Sequence, residues 1–132
     1  MYGPKQDINR FIPFVINRSM QNKRFNCSEG DQLRDFIYIN DVIDALIKTL
    51  LNKKSLGQII NIASGKPKKI KDIVKLIIRS IKGGVPQYGK VKLRPDETMK
   101  IYANIKKAKK ILNWKPKILF KNGIKLTIES YY

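Results

Sequence analysis

The sequence contains no histidine and only one cysteine, Cys27, in 132 residues. A single cysteine cannot form an intramolecular disulfide, and without histidine a zinc site or a Ser-His or Cys-His catalytic pair is excluded. No apolar run approaches the roughly 20 residues of a membrane-spanning helix. The first twenty residues carry Lys5, Asp7, Arg10 and Arg18 rather than a signal peptide. The sequence therefore predicts a cytoplasmic chain without a membrane partner.

Acidic residues are scarce as well, since 28 lysines and arginines face 10 aspartates and glutamates, for a net charge of +18. This balance favours anionic partners such as nucleic acid, a membrane surface or phosphorylated ligands. The lysines, however, are spread along the chain. In the densest run, "NIKKAKKILNW", they lie opposite the apolar Ile105, Ala108 and Ile111. A small basic protein that binds nucleic acid or an anionic surface is therefore only the alternative interpretation.

Five segments carry the apolar spacing of amphipathic helices. The clearest runs from Ile70 to Ile81, where apolar residues recur every three or four positions before Gly83-Gly84. The second helix has Asn40 or Asp41 available as its N-terminal cap. The remaining helices are expected from near residue 10, at 40–51, at 105–112 and from residue 120 onwards.

Short β-prone runs alternate with these helices, at 36–39, 57–65 and 91–93. This alternation predicts an α/β (mixed α+β) fold, and the length predicts one domain over residues 1–132. No glycine-rich phosphate loop occurs, because "ASGKPKK" has the Gly65-Lys66 pair without the upstream glycine or the following hydroxyl. We therefore expect this chain alone to bind no cofactor.

An ordered set of motifs resembles the C-terminal half of the NAD-dependent epimerase/dehydratase family, the extended short-chain dehydrogenases that act on nucleotide-diphosphate sugars. The resemblance covers almost the whole chain. Residues 88–117 look somewhat closer to one branch of the family, the CDP-hexose 4-keto reductases and epimerases, which includes abequose-synthase-like proteins. The motifs are "YGPKQ", "RFIPFVI", "GDQLRDFIYINDV", "INIASG", "LRPDE" and "LNWKPK".

The resemblance implies a substrate-binding region without the Rossmann core. In the family, the dinucleotide-binding turn and the Tyr-x-x-x-Lys catalytic pair precede the Tyr-Gly-Pro motif, which here is Tyr2-Gly3-Pro4. We therefore expect no catalytic residues in this chain, with NAD(P) belonging to the complete enzyme. Three possibilities stay open: a fragment or split gene product, a chain that works with a separately encoded Rossmann-domain partner, or a non-functional gene remnant.

Two arginines are the main candidates for binding a nucleotide-diphosphate sugar. Guanidinium groups hold phosphate oxygens through paired, charge-assisted hydrogen bonds. The resemblance implies this role for Arg34, in "RDF", and for Arg94, in "LRP". From spacing alone, Arg34 could equally form a structural ion pair with a nearby aspartate. From spacing alone, Arg94 is interpreted as a solvated loop residue. The aspartates in question are Asp31, Asp35 and Asp41.

Asn26 and Cys27 are weaker candidates. The resemblance implies that they lie on a strand passing the nucleobase, where relatives usually carry an aromatic residue; an ordinary edge strand also explains them. Asp41 is interpreted as a helix cap and not as a catalytic acid. Asn61 resembles a strand asparagine of the family and is interpreted as structural.

Three residues near the C terminus have structural interpretations. Asn104 replaces an aspartate common in relatives, and it can still cap a helix. Asn113 replaces the glycine of the family's Leu-Gly-Trp pattern, and asparagine is the next best residue for a left-handed helix end. Trp114 is expected to pack in the core and not to stack on a ligand.

Overall fold

The helices predicted from apolar spacing are present in the computed structural model, which describes residues 1–132. The first helix starts next to residue 10, with Pro13 in its first turn, where proline is tolerated because that N–H has no helical partner. The five helices are α1 (Phe11–Met20), α2 (Ile39–Leu51), α3 (Ile70–Ile81), α4 (Lys106–Leu112) and α5 (Phe120–Glu129).

The strands are short and form two small sheets. In the first, β1 (Arg24–Asn26) pairs in parallel with β4 (Val85–Gln87). In the second, β2 (Leu33–Arg34) is central; β3 (Lys68–Lys69) is antiparallel to it and β5 (Lys100–Ile101) parallel. Because β2 ends at Arg34, this small sheet positions the first candidate arginine.

The strands predicted at 36–39, 57–65 and 91–93 are wrong. The first contributes only a bridge between Tyr38 and Tyr2. Residues 59–63 make no backbone–backbone hydrogen bond, and Val91 makes a single one, to Cys27 O at 3.0 Å. A strand is defined by its ladder, and apolar composition does not supply the neighbouring strand.

Gly83 and Gly84, which follow α3, lie close against the end of α1. Helix α3 buries Ile73, Val74 and Ile77 and ends at Lys82, which is left-handed with φ 60°. A Cβ on Gly83 would lie 2.5 Å from the backbone oxygen of Ser19 in α1. The two glycines therefore allow the chain to pass directly over the end of α1 before β4 begins.

The buried apolar residues form two clusters. The larger lies between α1, α3 and α5 and includes Tyr2, Ile16, Val74 and Ile124. The smaller lies under α2 and α4, around Trp114, and consists of Ile37, Ala45, Ala108, Leu112 and Trp114.

Asp41 does not cap α2, so that prediction is wrong. It lies inside the first turn of α2, and Tyr38 occupies the N-cap position without a side-chain cap. The Asp41 carboxylate is buried and accepts hydrogen bonds from Lys117 N (2.9 Å) and Ile118 N (3.1 Å), just before α5. Asp41, in α2, thus binds the backbone of the segment just before α5, which is distant in the sequence.

The structural predictions for the other C-terminal residues are confirmed. Ile105 occupies the N-cap position of α4, but the Asn104 side chain just before it accepts a hydrogen bond from Lys106 N at 2.9 Å and so satisfies the first N–H of the helix. Asn113 ends α4 in the left-handed conformation, with φ 45° and ψ 46°. Trp114 is 1% exposed and donates from its indole nitrogen to Asp41 O at 3.2 Å, so it is a core residue.

Candidate functional site

A cavity of about 320 Å³ lies between α1, the end of β1 and β2, and it contains three of the four predicted site residues. Asn26 and Cys27 line one side and Arg34 another, with Phe11 and Phe14 of α1 supplying apolar walls. An apolar cavity with a few convergent polar groups is the usual form of a small-molecule site. The remaining lining residues are Val15, Ser28, Gln32, Ile70, Val91 and Glu97.

Arg34 forms its ion pair with Glu97, a residue that sequence reasoning missed. Its Nη2 donates to Glu97 Oε1, and its Nη1 donates to Leu33 O at 2.9 Å. Glu97 lies 63 residues further along the chain, so local spacing could not reveal the pair. The only available signal was its place in "LRPDE", beside the second candidate arginine.

None of the three aspartates considered as partners binds Arg34. Asp31 is paired with Lys69 at 3.5 Å. The Asp35 oxygens accept from Ser64 N at 2.7 Å and Gly65 N at 2.9 Å. Asp41, as described above, holds the segment before α5. Each acid is therefore engaged elsewhere.

Arg94 is not brought into the cavity. It is exposed and does not line the cavity walls. Its backbone oxygen accepts from Glu97 N at 3.0 Å, which forms a turn between the two residues. Arg94 is thus linked to Arg34 through Glu97, although its side chain is separate from the cavity in this structure.

Cys27 contributes a neutral thiol to the cavity. Burial raises the pKa of this thiol, so it is not an activated nucleophile. Its backbone N–H donates to Gln87 O at 2.9 Å, and its carbonyl accepts from Val91 N at 3.0 Å. The neighbouring Asn26 is exposed at the cavity rim. These residues can offer a polar edge and a small apolar wall to a ligand.

A second cavity, of about 480 Å³, adjoins the first at Arg34. Asn61, Tyr102 and Asn104 line it, together with Asp35, Ile101 and Ala103. Arg34 is the residue that lines both cavities.

A third cavity, of about 330 Å³, shares no residue with the first. It is lined by apolar residues, which include Phe36, Tyr38 and Phe120, and by lysines. The one acid that lines it is Asp41, whose oxygens are already occupied by backbone N–H groups. It contains none of the four predicted site residues.

No Tyr-x-x-x-Lys spacing lies within a helix of this chain. Tyr88 and Lys92, and also Tyr102 and Lys106, have a four-residue spacing, but neither pair lies within one helix, where that spacing places two residues on one face. Burial, followed by Cys27 and Asp72, raises the pKa of Tyr88. No cluster of three or more potential metal ligands is present.

The fold matches part of the fold of extended short-chain dehydrogenases. UDP-glucose 4-epimerase of Thermotoga maritima, solved with UDP-glucose, has a TM-score of 0.89 at 25% identity, over 98% of this chain and 42% of that chain. UDP-glucuronic acid 4-epimerase of Bacillus cereus, in complex with UDP-glucuronic acid and NAD, has a TM-score of 0.87 at 28% identity, over 99% and 43%. Both similarities include nearly all of this chain.

The chain belongs to the family described as GDP-mannose 4,6 dehydratase, whose profile matches residues 1–127. It is 30% identical to CDP-abequose synthase of Salmonella muenchen, over 95% of this chain and 43% of that protein. It is 31% identical to dTDP-glucose 4,6-dehydratase 1 of Escherichia coli strain K12, over 98% and 38%. The chain therefore spans about two fifths of the length of these relatives. The family resemblance predicted from the motifs is confirmed.

No helix of this chain is both long and apolar enough to cross a bilayer.

Proposed function

We propose that residues 1–132 form one substrate-binding domain, the nucleotide-diphosphate-sugar-binding portion of an NAD(P)-dependent sugar epimerase, dehydratase or reductase. The observation that carries the proposal is the cavity that places Arg34 beside Asn26 and Cys27, in a chain of this family. In the proposal, Arg34 and Arg94 bind the diphosphate, and Asn26 and Cys27 contact the nucleobase.

The chemistry of the cavity suits such a ligand. Its volume of about 320 Å³ is within the usual range of ligand sites, roughly 300–1,000 Å³. The guanidinium of Arg34 has five N–H donors, and two of them bind Leu33 O and Glu97, so the other three can donate to phosphate oxygens. Phe11 and Phe14 offer an apolar surface for a base. The net charge of +18 attracts anionic ligands in general, so specificity has to come from this geometry.

Amide NMR titrations with CDP, UDP, GDP and dTDP at physiological salt are expected to give saturable shifts near residues 26–34. Arg34→Ala is expected to weaken the binding by about 10- to 100-fold, the worth of hydrogen bonds to a charged group. Arg94→Ala is expected to weaken it as well. Arg24→Ala, an exposed position on β1, is the charge-matched control. Unchanged affinity in both the Arg34 and Arg94 variants would show that the diphosphate binds elsewhere.

Under this proposal the isolated chain neither binds NAD nor turns over a nucleotide sugar. The 132 residues contain no dinucleotide-binding glycine loop, and no Tyr-x-x-x-Lys spacing lies within one helix. An NAD titration run beside the four nucleotides is therefore expected to give no saturable shifts. A Rossmann domain is proposed to supply the cofactor and the catalytic residues, either as a separately encoded chain or, where residues 1–132 are a fragment, as another part of the same protein.

An apolar surface supports such a partner. On and after α2, large apolar side chains are exposed, with Leu50 at 85%, Leu51 at 81%, Leu56 at 75% and Ile59 at 88%. Residues 59–63 also have free backbone hydrogen-bonding groups. Exposed apolar patches and unpaired backbone are the features that a neighbouring sheet covers.

Leu50→Lys is expected to change the free energy of unfolding of the isolated chain by less than about 0.5 kcal/mol, because the side chain is already in solvent. The same variant is expected to prevent co-purification with the Rossmann-domain chain. Ala45→Lys, at a fully buried position of the same helix, is the contrasting variant and is expected to unfold the protein. If Leu50→Lys destabilised the isolated chain strongly, the surface would belong to the chain's own core.

A further inference from the structure

The third cavity is separate from the candidate nucleotide site. It shares no residue with either of the cavities that Arg34 lines. Its lining comes from residues 36–38, from the loop at 64–68, from α4 and from the segment 115–120. The proposed function therefore leaves this cavity without a role.

Aromatic and aliphatic side chains form the apolar part of the lining. Phe36, Tyr38 and Phe120 contribute rings, and Ile105 and Leu119 contribute aliphatic chains. The volume of about 330 Å³ is at the lower end of the range for small-molecule sites, roughly 300–1,000 Å³. The cavity therefore suits a ligand with one ring or one short apolar chain.

Five lysines line the same cavity, and four of them have no carboxylate within salt-bridge distance. Only Lys117 is paired, with Asp44 at 3.6 Å. The one acid of the lining, Asp41, is already bonded to the backbone of Lys117 and Ile118. The positive charge of the cavity is thus not balanced by the chain itself. The four unpaired lysines are Lys66, Lys68, Lys109 and Lys115.

We propose that this cavity binds a small phosphate monoester whose organic part is an aromatic ring or a short apolar chain. The organic part packs on Phe36, Tyr38 and Phe120, and the phosphate lies among the lysines. A phosphate monoester carries a charge of about −1.5 to −2 at pH 7, so it can bind two ammonium groups at once. Lysine binds phosphate as a flexible point charge and does not require the fixed geometry of arginine. The inference does not depend on Arg34 or on the proposed function.

The test is an amide NMR titration with phenyl phosphate at physiological salt. Saturable shifts are expected at residues 64–66 and 117–120. Inorganic phosphate, which lacks the ring, and phenol, which lacks the charge, are each expected to bind there about tenfold more weakly or worse, because burying a ring and pairing the phosphate both contribute. If inorganic phosphate bound as tightly as phenyl phosphate, the lysines would be a nonspecific basic surface and the inference would be overturned.

The double variant Lys66→Gln/Lys109→Gln is expected to weaken phenyl phosphate binding about tenfold, the scale of two ion pairs at a partly exposed site. The double variant Lys53→Gln/Lys54→Gln removes the same charge from exposed positions outside the cavity. It is expected to change the affinity less than about twofold. An equal loss in both double variants would mean that only the net charge attracts the ligand, which contradicts a site in this cavity.

Leu119→Asp places a carboxylate in the cavity without loss of stability. Leu119 is 66% exposed and occupies the N-cap position of α5, where it supplies no side-chain cap. Aspartate is a preferred N-cap residue, so the denaturant midpoint is expected to stay the same or to rise. Phenyl phosphate is expected to bind at least tenfold more weakly, because its phosphate is repelled by the new carboxylate. Wild-type affinity in this variant would place the ligand elsewhere.

Arg34→Ala separates this site from the candidate nucleotide site. In this variant the phenyl phosphate shifts at residues 64–66 and 117–120 are expected to remain, whereas nucleotide shifts near residues 26–34 are weakened. Phenyl phosphate shifts confined to residues 26–34 of the wild type would overturn the inference and leave the proposed function intact. Shifts at residues 64–66 in a chain that binds none of the four nucleotides would support the inference and contradict the proposed function.

Discussion

Asp41→Asn is expected to lower the free energy of unfolding by about 2–3 kcal/mol, since a charged, buried acceptor of two backbone N–H groups is replaced by an amide. The carboxylate is 3% exposed and accepts from Lys117 N and Ile118 N. Asparagine has one acceptor oxygen, so its NH₂ group must face one of these donors. Denaturant unfolding can be followed by the fluorescence of Trp114, the only tryptophan, which is bonded to Asp41 O.

Asp72→Asn is the matched control for this prediction. Asp72 also lies in the first turn of a helix, α3, but it is exposed and has no hydrogen bond of this kind. It is expected to cost about 0.5 kcal/mol through the helix dipole. If Asp41→Asn cost no more than Asp72→Asn, the two long-range hydrogen bonds would have no stabilising role, and Asp41 would act only on its own helix.

Helices were predictable from this sequence because their evidence is local. The apolar spacing of residues 70–81 and the following glycines are sufficient to predict α3, which buries Ile73, Val74 and Ile77. The end of α4 at Asn113 was predictable for the same reason, because asparagine tolerates the left-handed conformation that ends a helix.

Strands and their partners were not predictable in this way. The run from Ile59 to Ala63 has the composition of a buried strand, yet it forms no ladder of backbone hydrogen bonds. Strand pairing requires a second strand beside the first, and the apolar pattern of one segment does not specify that second strand. Conversely, β2 and β5 are only two residues each and leave almost no pattern. Long-range pairing, not composition, decides these elements.

In the candidate site, too, the residues that belong to motifs were predictable and the long-range contacts were not. Asn26, Cys27 and Arg34 were proposed from motifs, and the structure brings them to one cavity. The ion pair with Glu97 joins residues 63 positions apart in the chain, and no spacing rule links them. Asp41 illustrates the opposite error, because a cap-like position near a helix start suggested a local role for a side chain whose hydrogen bonds are distant.

Gly123→Ala is expected to lower the free energy of unfolding by about 2 kcal/mol, the usual cost of overpacking a core. Helix propensity alone predicts the opposite, a gain of about 1 kcal/mol for alanine over glycine inside a helix. The new Cβ, however, would clash with the hydroxyl of Tyr2 and lie 3.0 Å from Tyr38 Cδ2. Tyr2 cannot withdraw easily, because it is 2% exposed and its hydroxyl donates to Phe120 O at 3.2 Å.

Asn122→Ala, at the preceding exposed position of α5, isolates the propensity effect and is expected to stabilise the protein by about 0.5 kcal/mol. Tyr2→Phe in the Gly123→Ala background removes the clashing oxygen and is expected to recover about 1 kcal/mol relative to the sum of the single variants. Denaturant unfolding of the wild type, Gly123→Ala, Tyr2→Phe and the double variant measures this coupling. A stabilised Gly123→Ala would mean that the aromatic cluster of Tyr2, Tyr38 and Phe120 yields to a methyl group, and that α5 is held by its apolar face and not by close approach at Gly123.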